Sequence, residues 1–374
     1  MLVIADDKIP FLKGVLEPYT DIEYCQGSEI TPERIKYADA LLIRTRTRCN
    51  RNLLEGSGVK FIGTATIGYD HIDTEYCNQH GIHWTNAPGC NSASVNQYIA
   101  SVLVSLSLQK GFKLKDRVLG VVGVGNVGSK VVRTAEFLNM RVYLNDPPRV
   151  REEGICGFVS LDSILRECDI ITFHVPLSYD DPDRTYHMIE EGLISRLNPG
   201  TIIINSSRGE VANTGALKKA MREGRIESLV LDVWENEPSI DRELLSMATI
   251  ATPHIAGYST DGKAKGTAMI VQALSLFFDL GIEDWEPEDI PVPEKTVISL
   301  NCRHMDIEKA LGEVILATYQ VEKDDQHLRA SPDTFEKQRG NYPLRREFPA
   351  YRVRLQHEHS GIRQLLMKMG FSVE

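Results

Sequence analysis

Three charged side chains in the second half of the chain, Arg208, Glu237 and His254, each follow a short apolar segment. A histidine can take the proton from an alcohol whose carbon loses a hydride, and it can return that proton in the reverse reaction. A carboxylate bonded to the far ring nitrogen fixes the tautomer of such a histidine. An arginine can bind a carboxylate through two parallel hydrogen bonds and polarise a neighbouring carbonyl. The set predicts interconversion of an alcohol and a ketone on a small acid.

Each of these residues also has a plainer interpretation. Arg208 and His254 could be polar residues that end a strand or line a loop, and Glu237 precedes a proline and could belong to a turn only. Glu235 lies close before Glu237 and competes with it as the partner of the histidine on spacing alone. The residues by themselves leave that choice open.

A glycine-rich loop precedes this set. The apolar residues 117–122 run into Gly123, Gly125 and Gly128 in the spacing GxGxxG, and a helical pattern follows. Such a loop lets the backbone turn tightly, approach a pyrophosphate and pack closely against a strand, while the start of the helix offers free N–H groups to the phosphates. A dinucleotide cofactor is therefore predicted.

Asp146 ends the next predicted strand and indicates which dinucleotide is bound. A carboxylate there accepts hydrogen bonds from ribose hydroxyls and repels a 2′-phosphate, which favours NAD over NADP. Arg149 lies close by and weakens that preference, since it could meet a 2′-phosphate.

Composition excludes several classes of protein. The chain has 374 residues, with 42% hydrophobic and 25% charged, which is typical of globular proteins with two or three domains. The net charge of −10 gives no general reason to bind nucleic acid or anionic membranes. The seven cysteines form no CxxC pair and the ten histidines form no cluster, so no disulfide framework and no metal site are predicted. The amino terminus does not resemble a signal peptide, and a cytoplasmic protein is expected.

Short apolar segments alternate with helix-like segments up to about residue 255, which predicts parallel sheets covered by helices. The predicted strands are residues 2–5, 40–44, 60–63, 83–85, 117–122, 141–145, 170–174, 201–205, 228–232 and 250–252, and the predicted helices are 92–109, 126–139 and 214–223.

Residues 283–294 hold three prolines and six acids, which is typical of a linker. The tail behind it has its own pattern, with a predicted helix over 305–322, a strand over 351–355 and a helix over 361–369. We expect an α+β domain that packs on a partner subunit.

The motifs in combination resemble those of the D-isomer-specific 2-hydroxyacid dehydrogenases. GxGxxG is followed by Ser-Arg-Gly-Glu, then by Asp-Val-Trp-Glu-x-Glu-Pro and by Thr-Pro-His-Ile-Ala-Gly. In that family the arginine, the glutamate before proline and the histidine are catalytic, which implies Arg208, Glu237 and His254 and favours Glu237 over Glu235.

The resemblance also implies the fold: a Rossmann-type NAD domain over 101–255, inserted into a flavodoxin-like substrate domain over 1–100 and 256–282. The linker over 283–294 and a C-terminal α+β dimerisation domain over 295–374 complete the expected architecture. The expected partners are a small-molecule substrate and a second copy of the chain, with no nucleic acid and no membrane.

A narrower resemblance points to one bacterial branch of the family, which acts on a phosphorylated four-carbon 2-hydroxy acid. It rests on residues 63–73, 86–91, 146–149, 254–258 and 344–349. The substrate positions that it implies, together with the arginines beside the first of them, are Thr45, Thr66, Tyr258, Arg44 and Arg46. The NAD-binding positions are Gly123, Gly125, Asn126, Val127, Gly128, Asp146, Val175, Ser206, Ser207, Arg208, Asp232 and Gly257.

Some alternatives stay open. Thr45 and Val175 stand where serine and threonine are usual in that branch, and Arg44 and Arg46 could form only a solvated strand end. A 3-phosphoglycerate dehydrogenase would use the same catalytic residues with a different tail, and an NADH-sensing corepressor-like protein would keep them without turnover. Whether Arg345 and Arg346 reach a partner's active site is not determined by the sequence.

Overall fold

The computed structural model describes residues 1–154, 157–357 and 360–374. The strands are β1 Leu2–Asp6, β2 Asp21–Cys25, β3 Ala40–Ile43, β4 Phe61–Thr64, β5 His83–Thr85, β6 Val118–Val122, β7 Arg141–Asn145, β8 Ile170–Phe173, β9 Thr201–Asn205, β10 Ile226–Leu231, β11 Ile250–Ala251, β12 Val297–Asn301, β13 Arg352–Gln356 and β14 Ser372–Val373. The helices are α1 Pro32–Ile35, α2 Arg51–Leu54, α3 Thr74–Gln79, α4 Ser92–Lys110, α5 Gly128–Phe137, α6 Pro147–Glu153, α7 Leu161–Glu167, α8 Glu191–Ile194, α9 Thr214–Arg222, α10 Arg242–Met247, α11 Thr260–Phe278, α12 Ile307–Thr318, α13 Val321–Ala330, α14 Phe335–Gly340 and α15 Ser360–Met369.

The chain divides into two compact units. The first unit comprises residues 1–91 and 259–291, and the second unit comprises residues 92–258 and 292–374. The tail therefore groups with the residues that carry the glycine loop. The functional assignment of each domain stays a prediction.

The first unit is built on a parallel five-stranded sheet in the order β2-β1-β3-β4-β5. β3 and β4 are buried along their whole length, because helices cover both faces of the sheet's centre. α11 packs on β4, and an added Cβ on Gly63 would lie 3.2 Å from Cβ of Ile270. β2 was not predicted: it lies at the sheet edge, is half exposed and lacks a continuous apolar run.

The second unit contains a parallel six-stranded sheet in the order β11-β10-β9-β8-β6-β7. The predicted strands from residue 117 onward are all present, with ends shifted by at most two residues. The chain leaves β6 first toward β7 and then returns to β8 on its other side, so the strand order reverses at β6. Ligands bind at the carboxyl ends of the strands around such a reversal.

The tail forms a parallel three-stranded sheet in the order β12-β13-β14 with helices beside it. α12 packs against α4, where an added Cβ on Gly312 would lie 3.1 Å from Val104. An α+β C-terminal domain is thus present, and its apolar side chains belong to the same core as those of α4.

The single helix predicted over 305–322 is wrong. The structure has two helices, α12 and α13, because Tyr319 adopts an extended conformation between them. The Tyr319 carbonyl accepts a hydrogen bond of 3.0 Å from the Ser101 hydroxyl, and its ring is buried. This long-range contact breaks a helix that the local apolar pattern would continue.

Six of the seven cysteines are buried free thiols, and Cys156 lies outside the described residues. No helix in the described part of the chain is long and apolar enough to cross a membrane.

Candidate active site

The glycine loop joins β6 to α5, and two of its glycines are required sterically. Gly123 has φ +86°, and an added Cβ there would lie 2.5 Å from the carbonyl oxygen of His174. An added Cβ on Gly128 would lie 2.0 Å from the carbonyl oxygen of Gly123. Gly125 faces open space instead and is exposed together with Asn126. The loop is therefore tightly packed toward the sheet and open where a pyrophosphate would approach, which fits a dinucleotide.

Asp146 ties the end of β7 to this loop. Its carboxylate accepts hydrogen bonds from the backbone N–H of Val124 at 2.8 Å and of Arg149 at 3.1 Å. The Arg149 guanidinium is held by both carboxylate oxygens of Glu153, at 2.7 and 2.8 Å, and it also donates to the Val124 carbonyl at 2.8 Å. Because Glu153 already neutralises Arg149, the presence of Arg149 is weak evidence for NADP, the cofactor that carries a 2′-phosphate.

Arg208 lies directly after β9, in a turn that Asn205 organises. The Asn205 side chain accepts from the Ser207 hydroxyl at 2.8 Å and donates to the Arg208 carbonyl at 2.9 Å. The Ser206 hydroxyl oxygen is buried and has no hydrogen-bond partner among the described residues. A buried hydroxyl of this kind fits a ligand that would complete its hydrogen bonding.

His254 and Glu237 form a hydrogen-bonded pair. Nδ1 of His254 lies 2.8 Å from Oε2 of Glu237, and the other carboxylate oxygen accepts from the backbone N–H of Trp234 at 2.9 Å. Burial alone would raise the pKa of Glu237, but the attraction and the hydrogen bond from His254 outweigh it and the pKa is lowered. Because Glu237 engages Nδ1, Nε2 is the ring nitrogen left to exchange a proton with a substrate.

Glu235 serves a different histidine. Its carboxylate lies 2.7 Å from Nε2 of His187 and accepts at 2.7 Å from the backbone N–H of Thr214. The structure thus joins His254 to Glu237 and leaves Glu235 in a separate pair.

Asp232, at the end of β10, holds the loop that carries His254. It is 1% exposed, and its carboxylate accepts from the backbone N–H groups of Ile255 at 2.8 Å and Ala256 at 2.9 Å, and from the Thr252 hydroxyl at 2.6 Å. His254 itself has φ +56°, a conformation that non-glycine residues rarely adopt. The structure therefore places Asp232, predicted at the cofactor, as an anchor of the histidine loop.

The three charged residues lie at one edge of the sheet. β9, β10 and β11 are parallel neighbours, so the segments that carry Arg208, Glu237 and His254 emerge from the same end. The carboxyl ends of parallel strands lie at the same end of a sheet, so residues that directly follow such strands lie at that end as well.

The remaining predicted positions of the second unit lie around this edge. Val175 follows His174, and its Cγ1 would lie 3.0 Å from a Cβ on Gly123. Tyr258 follows the histidine loop, and its ring meets that of Tyr342 edge-on at 5.9 Å. Val127 and Gly257 are both partly exposed.

The first unit carries the other predicted substrate positions. Thr45 follows β3 and Thr66 follows β4, and these strands are parallel neighbours, so both threonines lie at one edge of their sheet. Thr45 and Arg46 are exposed, and Arg44 is partly exposed. The Thr66 hydroxyl donates to the Gly68 carbonyl at 2.9 Å.

The sequence analysis did not identify two uncharged polar residues that hold the turns of the site in place. Asn205 and Thr252 organise the turns that carry Arg208 and His254 but contribute no charge. Asn205 is the last residue of β9 and Thr252 directly follows β11. A buried polar residue at the end of an apolar segment is the one signal that could have identified them.

Comparisons with known proteins identify the family of the chain. The model of the D-isomer specific 2-hydroxyacid dehydrogenase NAD-binding domain matches residues 95–256, and a domain of unknown function, DUF3410, matches residues 290–370. A crystal structure of NAD⁺-bound 3-phosphoglycerate dehydrogenase from Entamoeba histolytica is 27% identical with a TM-score of 0.63, and the match covers 78% of this chain and 99% of that one. The fold and site define an NAD-dependent D-2-hydroxyacid dehydrogenase.

Two curated relatives narrow the class. The erythronate-4-phosphate dehydrogenase of Bacteroides fragilis is 50% identical over 94% of this chain and 99% of its own length. That of Klebsiella pneumoniae is 39% identical over 100% of this chain and 98% of its own length. The chain belongs to the erythronate-4-phosphate dehydrogenase family.

Proposed function

We propose that the chain oxidises 4-phospho-D-erythronate at C2 to (R)-3-hydroxy-2-oxo-4-phosphobutanoate, a reaction of pyridoxal 5′-phosphate (vitamin B6) synthesis in the cytoplasm. The observation that carries the substrate assignment is the extent of the likeness to named relatives. It spans the C-terminal domain as well as the dehydrogenase domains. The buried free thiols are in keeping with a reducing compartment.

The residues divide the chemistry between them. The glycine loop and Asp146 would hold NAD, which would supply the acceptor for the hydride that C2 loses. Arg208 binds the substrate carboxylate and polarises the bond between C2 and its oxygen. Nε2 of His254 takes the proton of the C2 hydroxyl, and Glu237 holds the ring in position and stabilises the charge that it gains.

The phosphate of the substrate requires a second anion site. We assign it to Thr45 and Thr66, with the cationic side chains of Arg44 and Arg46, which all belong to the first unit. Tyr258, in the second unit, stays a predicted substrate position. The threonine hydroxyls would donate hydrogen bonds to the phosphate, that of Thr66 in place of its bond to the Gly68 carbonyl, and the guanidinium groups would supply positive charge.

NADH formation from NAD tests the substrate assignment. The assay compares 4-phosphoerythronate with erythronate, 3-phosphoglycerate and D-lactate, with a 2-oxo acid added to recycle retained cofactor. We expect kcat/KM for 4-phosphoerythronate to exceed the other values at least 100-fold. Preference for 3-phosphoglycerate would overturn the assignment, while no turnover with intact NADH binding would favour a sensor.

We also propose that two copies of the chain associate through the C-terminal domain. Leu344 and Met367 are 46% and 59% exposed there, and a partner would cover them. Sedimentation at micromolar concentration should give a dimer of about twice 42.0 kDa. A monomer at that concentration would contradict the proposal.

A further inference from the structure

The loop behind His254 is held on two sides. On one side, Asp232 accepts the N–H groups of Ile255 and Ala256. On the other side, Arg345 of the C-terminal domain donates to the carbonyl oxygens of the same two residues, at 3.2 and 2.9 Å. Both polar groups of these residues are therefore fixed by buried charged side chains.

The Arg345 side chain is buried and held by several hydrogen bonds. It is 4% exposed, and its guanidinium also donates to the side chain of Gln97 at 3.0 Å and to the carbonyl and hydroxyl oxygens of Ser94 at 2.5 and 3.0 Å. The group lies 4.0 Å from the centre of the Tyr319 ring. Burial of a guanidinium is costly unless its donors are satisfied, and several of the acceptors that satisfy it here belong to the histidine loop and to α4.

The histidine needs such support. A non-glycine residue at φ +56° persists only where its surroundings hold it, and the bond of 2.8 Å between the His254 ring and Glu237 is made in this backbone conformation. The Ser94 hydroxyl strengthens the same contact, because it donates to the Ala256 carbonyl at 2.9 Å.

A second arginine of the C-terminal domain lies beside the next residues of the loop. The Arg339 guanidinium lies 5.6 Å from the centre of the Tyr258 ring and is paired with Glu336 at 2.8 Å. The C-terminal domain thus contacts the loop both directly behind His254 and at Tyr258.

We propose that Arg345 is a positioning residue for the dehydrogenase reaction, which holds the backbone behind His254 so that the His254 ring meets Glu237. The C-terminal domain then contributes to the active site of its own chain, in addition to any role in association. The inference rests on the proposed role of His254 as the acid/base.

The test compares Arg345→Met with Arg345→Lys and with Arg354→Met in the full chain. Arg354 is an exposed arginine of the same domain that pairs with Glu374 and serves as the control. We expect kcat to fall about 10- to 100-fold in Arg345→Met, with Kd for NADH changed less than threefold, because the loop is displaced while the glycine loop is intact. Lysine keeps the charge but not the fork of donors, so Arg345→Lys should recover only part of kcat.

Amide hydrogen exchange supplies a readout that does not depend on turnover. In Arg345→Met the Ile255 and Ala256 amides should exchange at least tenfold faster than in the wild type, while those of β13 should not change. An unchanged kcat and unchanged exchange at these amides would overturn the proposal. Because exchange does not require a substrate, it also decides the matter if 4-phosphoerythronate proves not to be turned over.

Ser94→Ala covers the case in which Arg345→Met does not fold. It removes one acceptor of Arg345 and the hydroxyl that donates to Ala256, and it leaves the buried charge in place. We expect a three- to tenfold loss of kcat with faster exchange at Ala256, and no change in either would overturn the proposal.

Discussion

The hydrogen bond between His254 and Glu237 distinguishes the two ring nitrogens of His254. The imidazole has two nitrogens, and the one bonded to the carboxylate at 2.8 Å is committed to holding the ring. Burial by itself would raise the pKa of Glu237, but the attraction and the hydrogen bond from His254 outweigh the lost hydration, so the pKa lies below its ordinary value. The carboxylate is therefore ionised throughout the pH range in which a histidine exchanges protons.

Replacement of either residue should lower kcat with NADH binding retained. His254→Gln removes the proposed acid/base, and we expect a loss of about 10²- to 10⁴-fold. Glu237→Gln keeps the shape but removes the charge that stabilises a protonated ring, and a loss on the order of 10² is expected. Steady-state kinetics and NADH titration measure both effects.

Glu235→Gln is the matched control, because this glutamate bonds His187 and the Thr214 amide instead. Its kcat should stay within about threefold of the wild type. An equal loss in Glu235→Gln and Glu237→Gln would show that the pairing seen here does not govern the reaction.

At the scale of elements, the three glycines between β6 and the start of α5 meet two requirements, close packing of helix and strand and an open outer surface of the loop. Gly123 and Gly128 let the helix start pack against the strand, while Gly125 leaves the outer surface of the loop open. Two glycines of the motif are thus required by packing, and the third is open to the proposed cofactor, a difference that the GxGxxG spacing alone does not show.

Alanine at each position should separate these functions. Gly128→Ala should lower the free energy of unfolding by about 3 kcal/mol or more, since the added Cβ meets a carbonyl oxygen at 2.0 Å. Gly125→Ala should change it by less than about 1 kcal/mol and weaken NADH binding at least tenfold. Denaturant unfolding and NADH fluorescence titration give the two quantities.

Gly192→Ala, in the first turn of α8, controls for the substitution itself, because its nearest neighbour lies 3.9 Å away. It should leave both quantities nearly unchanged. Gly125→Ala with unaltered NADH binding would remove this position from the cofactor site.

At the scale of the whole molecule, each of the two units contains a partly buried histidine whose pKa is lowered, so that it is neutral in the folded chain at neutral pH. Desolvation lowers the pKa of His71 to about 4 in the first unit and that of His174 to about 3 in the second. Each ring lies 3.0 Å from a threonine hydroxyl, of Thr64 and Thr172 respectively. The folded chain therefore binds fewer protons in mildly acidic solution than the unfolded chain does.

Stability should fall as the pH falls below about 6.5. The unfolded histidines take up protons there and the folded ones do not until pH 4 or 3, so their stabilising contribution is complete above pH 6.5 and is lost below it. Between pH 7 and 5 we expect a loss of about 1–2 kcal/mol for each histidine. Urea unfolding at the two pH values measures it.

His174→Gln should reduce the loss of unfolding free energy between pH 7 and 5 by about 1–2 kcal/mol, because the contribution of this histidine is removed. A variant with the full wild-type pH dependence would show that His174 does not titrate as described.

The sequence alone determined the parts of this protein that depend on local order. Strands of parallel sheets are continuous apolar segments, and a residue that follows such a segment must lie at the carboxyl end of the sheet. The order of segments therefore places Arg208, Glu237 and His254 at one sheet edge, and the local pattern of GxGxxG with Asp146 indicates a dinucleotide. The family resemblance rests on the same local motifs.

The tertiary structure decided what depends on contacts between distant segments. Glu235 and Glu237 are alike in spacing, and only the fold directs one to His187 and the other to His254. Tyr319 interrupts a helix because a residue far away in the chain binds its carbonyl, and Arg345 reaches the histidine loop across the core. Local patterns report how each segment folds, whereas a buried polar group finds its partner only when all segments are packed together.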